Sequence, residues 1–475
     1  MKSKLIALLL TLLTVLSACD AKPLTPIEKD PNIVAYERLF DDSKEKSFTI
    51  EITQSEWKKL DQYMVEYFNR YGNYKTDAVV EAKMIYEDKE GQIIADNIAF
   101  RSRGNTSRTR LINDEGQLNT ASYKIYFDKA VYADKGSALE QSIKNRQIFG
   151  MTELSFKFNK NWDSTHVTEK FSYDLFREFS VFSPKMTHSK LYLKIGNTTH
   201  FLGLFSVLES IDQAFLDKRF PNESEGNLYK VLWQQFGSAT LETGYDPRAI
   251  GIKNEDLNYF PSYDLKTNKK AFDNSELISF IQNINTLEGE AFKTYLDEHF
   301  DVERLLRLLA VGVLLGNPDD YRAMGNNYYL YYNTAQEKWT MIPYDYDHGM
   351  GQGWDGNPVF SNWSIGMDIY AWGDLSSVLQ GRQVSHVLTD KLFQIEAYQL
   401  KYEIYLQDLI ISDLFSVEAY REKYETVKQL YEDDISQSTW PFYFGQRNVF
   451  TYIHDKREDV LDQLNYYRSN PSKRP

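Results

Sequence analysis

The chain has 475 residues, with 54 Lys and Arg against 68 Asp and Glu, for a formal net charge of -14. That acidic balance argues against general nucleic-acid binding, which needs basic stripes to displace counterions. Cys19 is the one cysteine, so disulfides and cysteine-based zinc sites are excluded, and the length suits one large or two medium domains.

In chain order, Lys2 and Lys4 precede an apolar run from Leu5 to Leu16, and Ser17-Ala18-Cys19 follows. This is a secretory signal layout, too short and wrongly flanked for a membrane span. The small residues before Cys19 match a lipobox, so residues 1–18 are expected to be removed and Cys19 lipidated. Dual acylation would then hold a globular domain on the membrane from the extracytoplasmic side, periplasmic or surface-exposed. Losing Lys2 and Lys4 makes the mature chain about two units more negative. The Pro-rich, charged, aperiodic stretch after Cys19 reads as a tether, with the folded domain running over 45–465.

From Ser47 the pattern changes. Phe48–Thr53 alternates as a strand, and Ser55 looks like the N-cap of a helix through about Tyr71, with Trp57, Leu60, Met64 and Tyr67 on one stripe. Strands are expected at Asp77–Tyr86, Ile93–Arg101, Ser122–Phe127, Glu153–Phe158, Lys190–Ile195 and Phe201–Leu208. Beyond about residue 275 the spacing turns helical, at Ser275–Asn285, Gly289–His299 and Val302–Leu315. A strand pair, Tyr328–Tyr332 and Trp339–Pro343, is joined by a turn over Thr334–Lys338. The tail from about Asp374 is mostly helical. This pattern predicts an α+β fold of two lobes, a strand-rich one over about 45–230 and a helix-rich one over about 275–465.

Three places carry candidate chemistry. Arg101, Arg103 and Arg108 surround a turn at Gly104-Asn105, an arrangement that suits either a phosphate cradle or a basic surface turn. Gly316-Asn-Pro-Asp-Asp320 and Asn326-Asn327 form an acid and amide loop between a helix and a strand. Asp345 and Asp347 end an apolar strand, with Gly349 and Gly351 freeing the backbone after them. Carboxylate and amide oxygens are the ligands that Mg²⁺ takes alongside phosphates. An acidic loop, a hairpin and an Asp-ended strand are the parts that a phosphoryl-transfer site uses.

Taken in order, Arg-Gly-Asn-Thr-Ser-Arg (103–108), Ser-Tyr-Lys-Ile-Tyr-Phe (122–127), Gly-Leu-Phe-Ser-Val-Leu-Glu (203–209), Gly-Asn-Leu-Tyr-Lys (226–230), Gly-Asn-Pro-Asp (316–319), Asn-Tyr-Tyr-Leu-Tyr (327–331) and Ile-Pro-Tyr-Asp-Tyr-Asp (342–347) resemble the spore-coat CotH kinase family. The resemblance implies an atypical protein-kinase-like fold that uses ATP and Mg²⁺ or Mn²⁺ to phosphorylate Ser or Thr of an extracytoplasmic protein. It assigns Asp319, with Asp320 as the neighbouring register, to the acceptor hydroxyl. Asn327 and Asp345 become metal ligands, with Asp347 as a second or alternative one. Lys124 is the expected phosphate-binding lysine beside Arg103, and Glu169 is its expected partner, with Glu178 as a rival. Glu209 is expected near the adenine end. Tyr344 stands where the family has Trp, and there is no Gly-rich loop of the ordinary kinase type. A second reading keeps the fold without catalysis, as a surface module whose Tyr and Trp residues bind polysaccharide or an envelope protein. A metal-dependent hydrolase is the third, with His348 as the only histidine near the acidic residues.

Overall fold

The computed structural model of the chain describes residues 30–105, 107–353, 364–372, 381, 383–440, 442–445 and 449–475. The expected signal peptide, Cys19 and the first part of the tether lie outside these residues. The fold mixes sheets and helices, as expected. Seven strands close into a barrel: β1 (Ser47–Ile52), β2 (Val80–Asp88), β3 (Gly91–Arg103), β4 (Ser122–Tyr126), β5 (Glu153–Lys157), β6 (Met186–Ile195) and β7 (Thr198–Glu209). Their order is β1-β2-β3-β4-β5-β7-β6, and β6 returns to β1 in parallel. The alternation read from the sequence has this closure as its cause. Phe48, Ile50, Met84, Phe100, Tyr123, Ile125, Leu154 and Phe156 point inward and fill the barrel, while the residues between them face outward.

Two early helices pack on this barrel. Pro31–Leu39 forms α1, opened by Asp30, whose side chain accepts from Asn32 N, and it buries Tyr36 and Leu39. The tether reading therefore fails from Asp30 onward, because a Pro at the first helical position followed by Tyr36 and Leu39 gives this short helix an apolar stripe. Gln54–Tyr71 forms α2, and its cap is Thr53, not Ser55: the Thr53 hydroxyl accepts from Glu56 N at 3.1 Å. Three further helices follow before the second sheet: α3 (Ala138–Ile143), α4 (Thr168–Glu178) and α5 (Gln213–Arg219).

The second sheet has five strands in the order β12-β11-β8-β10-β9: β8 (Asn227–Val231), β9 (Ile250–Gly251), β10 (Tyr263–Leu265), β11 (Tyr328–Asn333) and β12 (Lys338–Pro343). One of its faces, with Tyr229, Val231, Leu265, Tyr328, Leu330 and Met341, joins the large helical core. That core is built by α6 (Ser275–Thr286), α7 (Gly289–His299), α8 (Val302–Leu315), the single turn α9 (Tyr321–Met324), and the tail helices α10 (Val387–Leu392), α11 (Glu396–Ile411), α12 (Val417–Ile435) and α13 (Val449–Ser469). Among the described residues, no helix is long and apolar enough to cross a membrane.

The expected lobes end near 230 and start near 275, with the stretch between them read as their join. The stretch read as a join contains β8, β9 and β10, and β8 sits in the middle of the second sheet, antiparallel to both β11 and β10. These short strands escape sequence patterning because β8 is covered on both sides and the other two have only two or three residues. The tail also returns to the barrel, where Thr439 N donates to Phe201 O at 2.7 Å.

Candidate active site

The register of the barrel sorts its outward side chains on β3, β4 and β5 into rows. Arg103 pairs with Ser122, whose hydroxyl accepts from Phe158 N at 3.2 Å just past Lys157. One row therefore holds Arg103, Ser122 and Lys157. The next holds Arg101, Lys124 and Ser155, and a third holds Tyr126 and Glu153. Rows lie two residues apart, about 7 Å along the strands. This wall faces the other side of the second sheet, which carries Lys230, Lys266, Tyr329 and, just past β12, Tyr344. The two meet where Arg103 Nη2 donates to the Tyr344 hydroxyl at 2.9 Å and where Lys157 reaches Asp345.

Lys157 is the centre of the site. Its ammonium lies 2.9 Å from Glu169 Oε2, 2.5 Å from Asp345 Oδ1 and 2.8 Å from Asp347 Oδ2. Glu169 comes from the first turn of α4, where the helix N-terminus favours an acid. Asp345 and Asp347 come from the loop after β12. Their approach does not rest on strand alternation, because the strand ends at Pro343 and Asp345 has a left-handed φ of 60°. A non-glycine residue in that region is held there by its surroundings. Tyr173, one turn after Glu169 on α4, does part of the holding. Its hydroxyl accepts from Asp345 N at 2.8 Å and donates to Glu169 Oε1 at 3.2 Å.

The rest of the loop is fastened to the end of α8. Met350 N donates to Leu315 O at 2.8 Å, and a Cβ on Gly349 would come within 2.9 Å of the same oxygen, so this position has no room for a side chain. The helix stops at Gly316, with φ 61°, where a Cβ would strike the Tyr452 hydroxyl and the Ser364 side chain. Asn317 follows, donating to Asp345 O at 3.5 Å and accepting from Asp319 N at 3.2 Å. Asp319 Oδ1 accepts from Asn326 at 2.5 Å, and no described residue donates to its Oδ2. Asp320 is used differently: it caps α9, accepting from Ala323 N at 2.9 Å, with the Tyr346 hydroxyl 3.4 Å from its other oxygen. Asn327, φ 52°, donates to Asp319 O at 3.0 Å.

Charge states follow from this packing. Burial alone would strip Lys157 of its proton, but Asp345, Asp347 and Glu169 around it hold its pKa well above the ordinary value. Burial would likewise raise Asp345, and Lys157 outweighs it, so that carboxyl sits well below the usual range. One ammonium cannot compensate three carboxylates equally. Glu169 is the most buried of them, and burial raises its pKa despite Lys157. Burial also raises Asp319, with His348 only partly opposing. On the opposite wall, burial first and then the cations of Arg103, Lys266 and Lys124 push Lys230 down to about 7.

Two expected roles need correction. Lys124 does not meet Glu169: its ammonium binds Glu153 Oε1 at 2.5 Å, one row away from Lys157. Lys157, in the row of Arg103, is the lysine that meets Glu169 at the start of α4. Glu209 is not open to a nucleotide. It is 1% exposed, and its oxygens accept from Arg219 at 2.8 and 2.6 Å, from Tyr36 and from Lys185 N. Glu178 stands with Lys423, away from Lys157. Arg103, Asp319, Asn327, Asp345 and Asp347 all lie on or beside the site. Sequence reading missed Lys157, Tyr173, Asn317 and Lys230. Lys157 had a signal, an outward position at the end of a recognised strand twelve residues before Glu169.

Glu169, Asp345 and Asp347 bring one oxygen each to within 4.8 Å of one another, enough to share one cation. Asp347 Oδ1 is buried with no hydrogen-bond partner among the described residues. His348 Nε2 lies 3.5 Å from that oxygen, in ion-pair range. Hard oxygen donors of this kind fit Mg²⁺ or Mn²⁺, and the ammonium of Lys157 stands among them as a cation would. A separate surface cleft of about 680 Å³, lined in part by Phe182, Arg219, Arg304 and Lys401, has its cations paired within the protein, to Glu209, Asp301 and Glu303.

Comparison with known proteins bears on this geometry. The family model described as "CotH kinase protein" matches residues 100–473. The inner spore coat protein H of Bacillus subtilis (strain 168) is 26% identical over 200 residues, 40% of this chain and 48% of that protein, so the match spans about half of the relative's length. The crystal structure of the Helicobacter pylori proinflammatory kinase CtkA aligns over 67% of this chain and 92% of its own, at 10% identity and a TM-score of 0.27, too low to carry an argument.

Proposed function

The chain belongs to the CotH kinase family, and from that premise we propose that it is an atypical, metal-dependent kinase. In this reading it moves the terminal phosphoryl group of ATP to a Ser or Thr hydroxyl of an extracytoplasmic protein. It would work as a lipoprotein anchored through Cys19. The observation that carries the proposal is the contact of one lysine, Lys157, with Glu169, Asp345 and Asp347 at the edge of a wall lined with cations. A lysine paired to a helix glutamate beside a metal-binding aspartate is the constellation that phosphoryl transfer in kinases requires.

Each residue has a task in this chemistry. Lys157 and Arg103 neutralise phosphate oxygens, and Tyr173 holds Glu169 and Asp345 in register. Glu169, Asp345 and Asp347 are the residues that would hold Mg²⁺ or Mn²⁺, with Asn327 beside them. Such an ion, when bound, withdraws charge from the phosphate oxygens. The acceptor oxygen bonds to the γ-phosphorus as the bond to the β–γ bridging oxygen breaks, and nucleoside diphosphate leaves. The hydroxyl proton passes to Asp319 Oδ2, the oxygen to which no described residue donates. A position beyond the membrane puts the protein outside the cytoplasmic ATP pool, so the reading requires tight nucleotide binding.

Asp345→Asn tests this. The variant should keep its fold and lose both Mn²⁺-dependent ATP binding, read as thermal stabilisation, and transfer of labelled γ-phosphate to itself or to casein. Full transfer by the variant would refute the assignment. Stabilisation of the unaltered chain by oligosaccharides, with none by Mn²⁺ and ATP, would favour a polysaccharide-binding module.

A further inference from the structure

Most cations on the two facing walls have a partner. Arg103 donates to the Tyr344 hydroxyl, Lys124 binds Glu153, Lys157 binds its three acids, and Lys266 binds Asp264 at 3.0 Å. Lys230, in the centre of the second sheet on β8, is different. Among the described residues its ammonium has no hydrogen bond and no ion pair. Its ammonium lies over aromatic faces, 4.4 Å from the centroid of Tyr344 and 5.9 Å from that of Tyr329. The strongest charged influences on it are three cations, Arg103, Lys266 and Lys124, with Asp345 opposing them, while Asp264, its cross-strand neighbour, is held by Lys266.

A lysine held among like charges, partly withdrawn from water, does the fold no service that an aliphatic side chain would not do better. Aromatic faces attract a cation but give its N–H groups no strong acceptor. The missing partner is an anion. Its position is marked, because Tyr344 immediately precedes Asp345 in the chain and its hydroxyl is held by Arg103 from the barrel side. Arg103 and Lys157 in one row, Lys124 a row further on and Lys230 across from them form a set of cations spread over several ångströms. Such a set matches an anion with several charges along its length, and not a single carboxylate.

Resting on the nucleotide-binding reading above, we infer that Lys230 is a phosphate-contact residue, gripping the polyphosphate of the nucleotide from the sheet wall opposite Arg103 and Lys157. The shared chemistry is a chain of phosphates, whether in ATP or free.

The test uses the full chain with Lys230→Met, which keeps the stem, and Lys230→Arg, which keeps the charge. Titration calorimetry is run with Mn²⁺ plus ATP, Mn²⁺ plus inorganic tripolyphosphate, and adenosine alone, and melting is measured without ligand. Lys230→Met should weaken ATP and tripolyphosphate alike, by about 10- to 100-fold, the worth of a hydrogen bond to a charged group. It should leave adenosine unaffected and the unliganded melting temperature equal or higher. Lys230→Arg should bind within a few-fold of the unaltered chain. Unchanged tripolyphosphate affinity in Lys230→Met overturns the inference, as does weakened ATP binding with tripolyphosphate unaffected. A lowered melting temperature that Arg does not restore would show a structural lysine and also overturns it. If Asp345→Asn loses Mn²⁺-dependent ATP binding while Lys230→Met keeps it, only the Lys230 inference falls. If the unaltered, folded chain binds none of these ligands, the nucleotide reading falls with it.

Discussion

Replacing Lys157 with Met removes the one cation that three carboxylates share. In the unaltered chain the Lys157 side chain is 12% exposed, against 7% for Glu169, 17% for Asp347 and 35% for Asp345. Breaking a buried pair by deleting one partner costs about 3–5 kcal/mol, because the other charge is left uncompensated. Here three acids are left, but Asp345 is open enough for water to screen it. A loss of about 3–4 kcal/mol at pH 7 is therefore expected. The loss has a sign with pH. In Lys157→Met only the weaker pull of Arg103 and His348 opposes burial at Asp345, so its folded pKa rises from the depressed value of the unaltered chain, Glu169 rises further, and protonation offsets part of the loss as pH falls towards 4. In the unaltered chain Asp345 is depressed, so the stability it contributes is present above about pH 4, is unchanged between pH 7 and pH 5, and is lost only at lower pH. The two chains should thus converge on acidification. Mn²⁺ should narrow the gap at pH 7 as well, by occupying the oxygens that the ammonium has left. Urea unfolding at pH 7 and pH 5, with and without Mn²⁺, reads all of this. A deficit that stays constant across pH and is insensitive to Mn²⁺ would refute the picture of one lysine neutralising a three-acid cation site.

Two further outcomes follow from the same region. Tyr173→Phe removes the hydroxyl that accepts from Asp345 N and donates to Glu169, leaving a buried N–H without a partner. Phosphoryl transfer should fall at least about tenfold and stability by about 1–3 kcal/mol, measured by transfer assay and urea melt; full activity would show that Asp345 keeps its left-handed φ without this contact. His188 is buried, donating to His166 O at 2.7 Å, and burial followed by Lys170 lowers its pKa to about 4. The unfolded chain takes up a proton near pH 6.5 and the folded one only near 4, so the stability involved is present above 6.5 and lost as pH falls towards 4. Between pH 7 and pH 5 this amounts to about 2 kcal/mol. His188→Gln should lose about that much less than the unaltered chain over the same interval, and an identical acid limb in the two proteins would count against the assignment.

Much of the fold was legible because burial on one side imposes a period. The barrel strands alternate, and α7 and α8 begin and end where their apolar spacing, Asp301 and Gly316 put them. β8 was invisible as a strand because its neighbours cover both of its faces, which removes alternation. α1 was read as tether because nine residues with one turn of apolar spacing look like charged linker. Within the site, Asp319, Asn327, Asp345 and Asp347 were legible because a helix end and a hairpin bring two polar loops together whatever the rest of the chain does.

By itself the sequence determined the family resemblance, the acidic loops, the export signal as an expectation, and the presence of outward lysines on barrel strands. It could not determine which lysine meets the acids. Lys124 and Lys157 are both outward-facing on adjacent antiparallel strands, and local pattern treats them alike. Their rows differ by two residues, and only barrel closure, with the N-terminus of α4 and the loop after β12 packed at one end of it, puts Glu169, Asp345 and Asp347 against Lys157 and leaves Lys124 to Glu153. The choice is tertiary because an ion pair depends on a distance across the fold, and among the partners that set it Glu169 lies 12 residues and Asp345 188 residues from the lysine they surround.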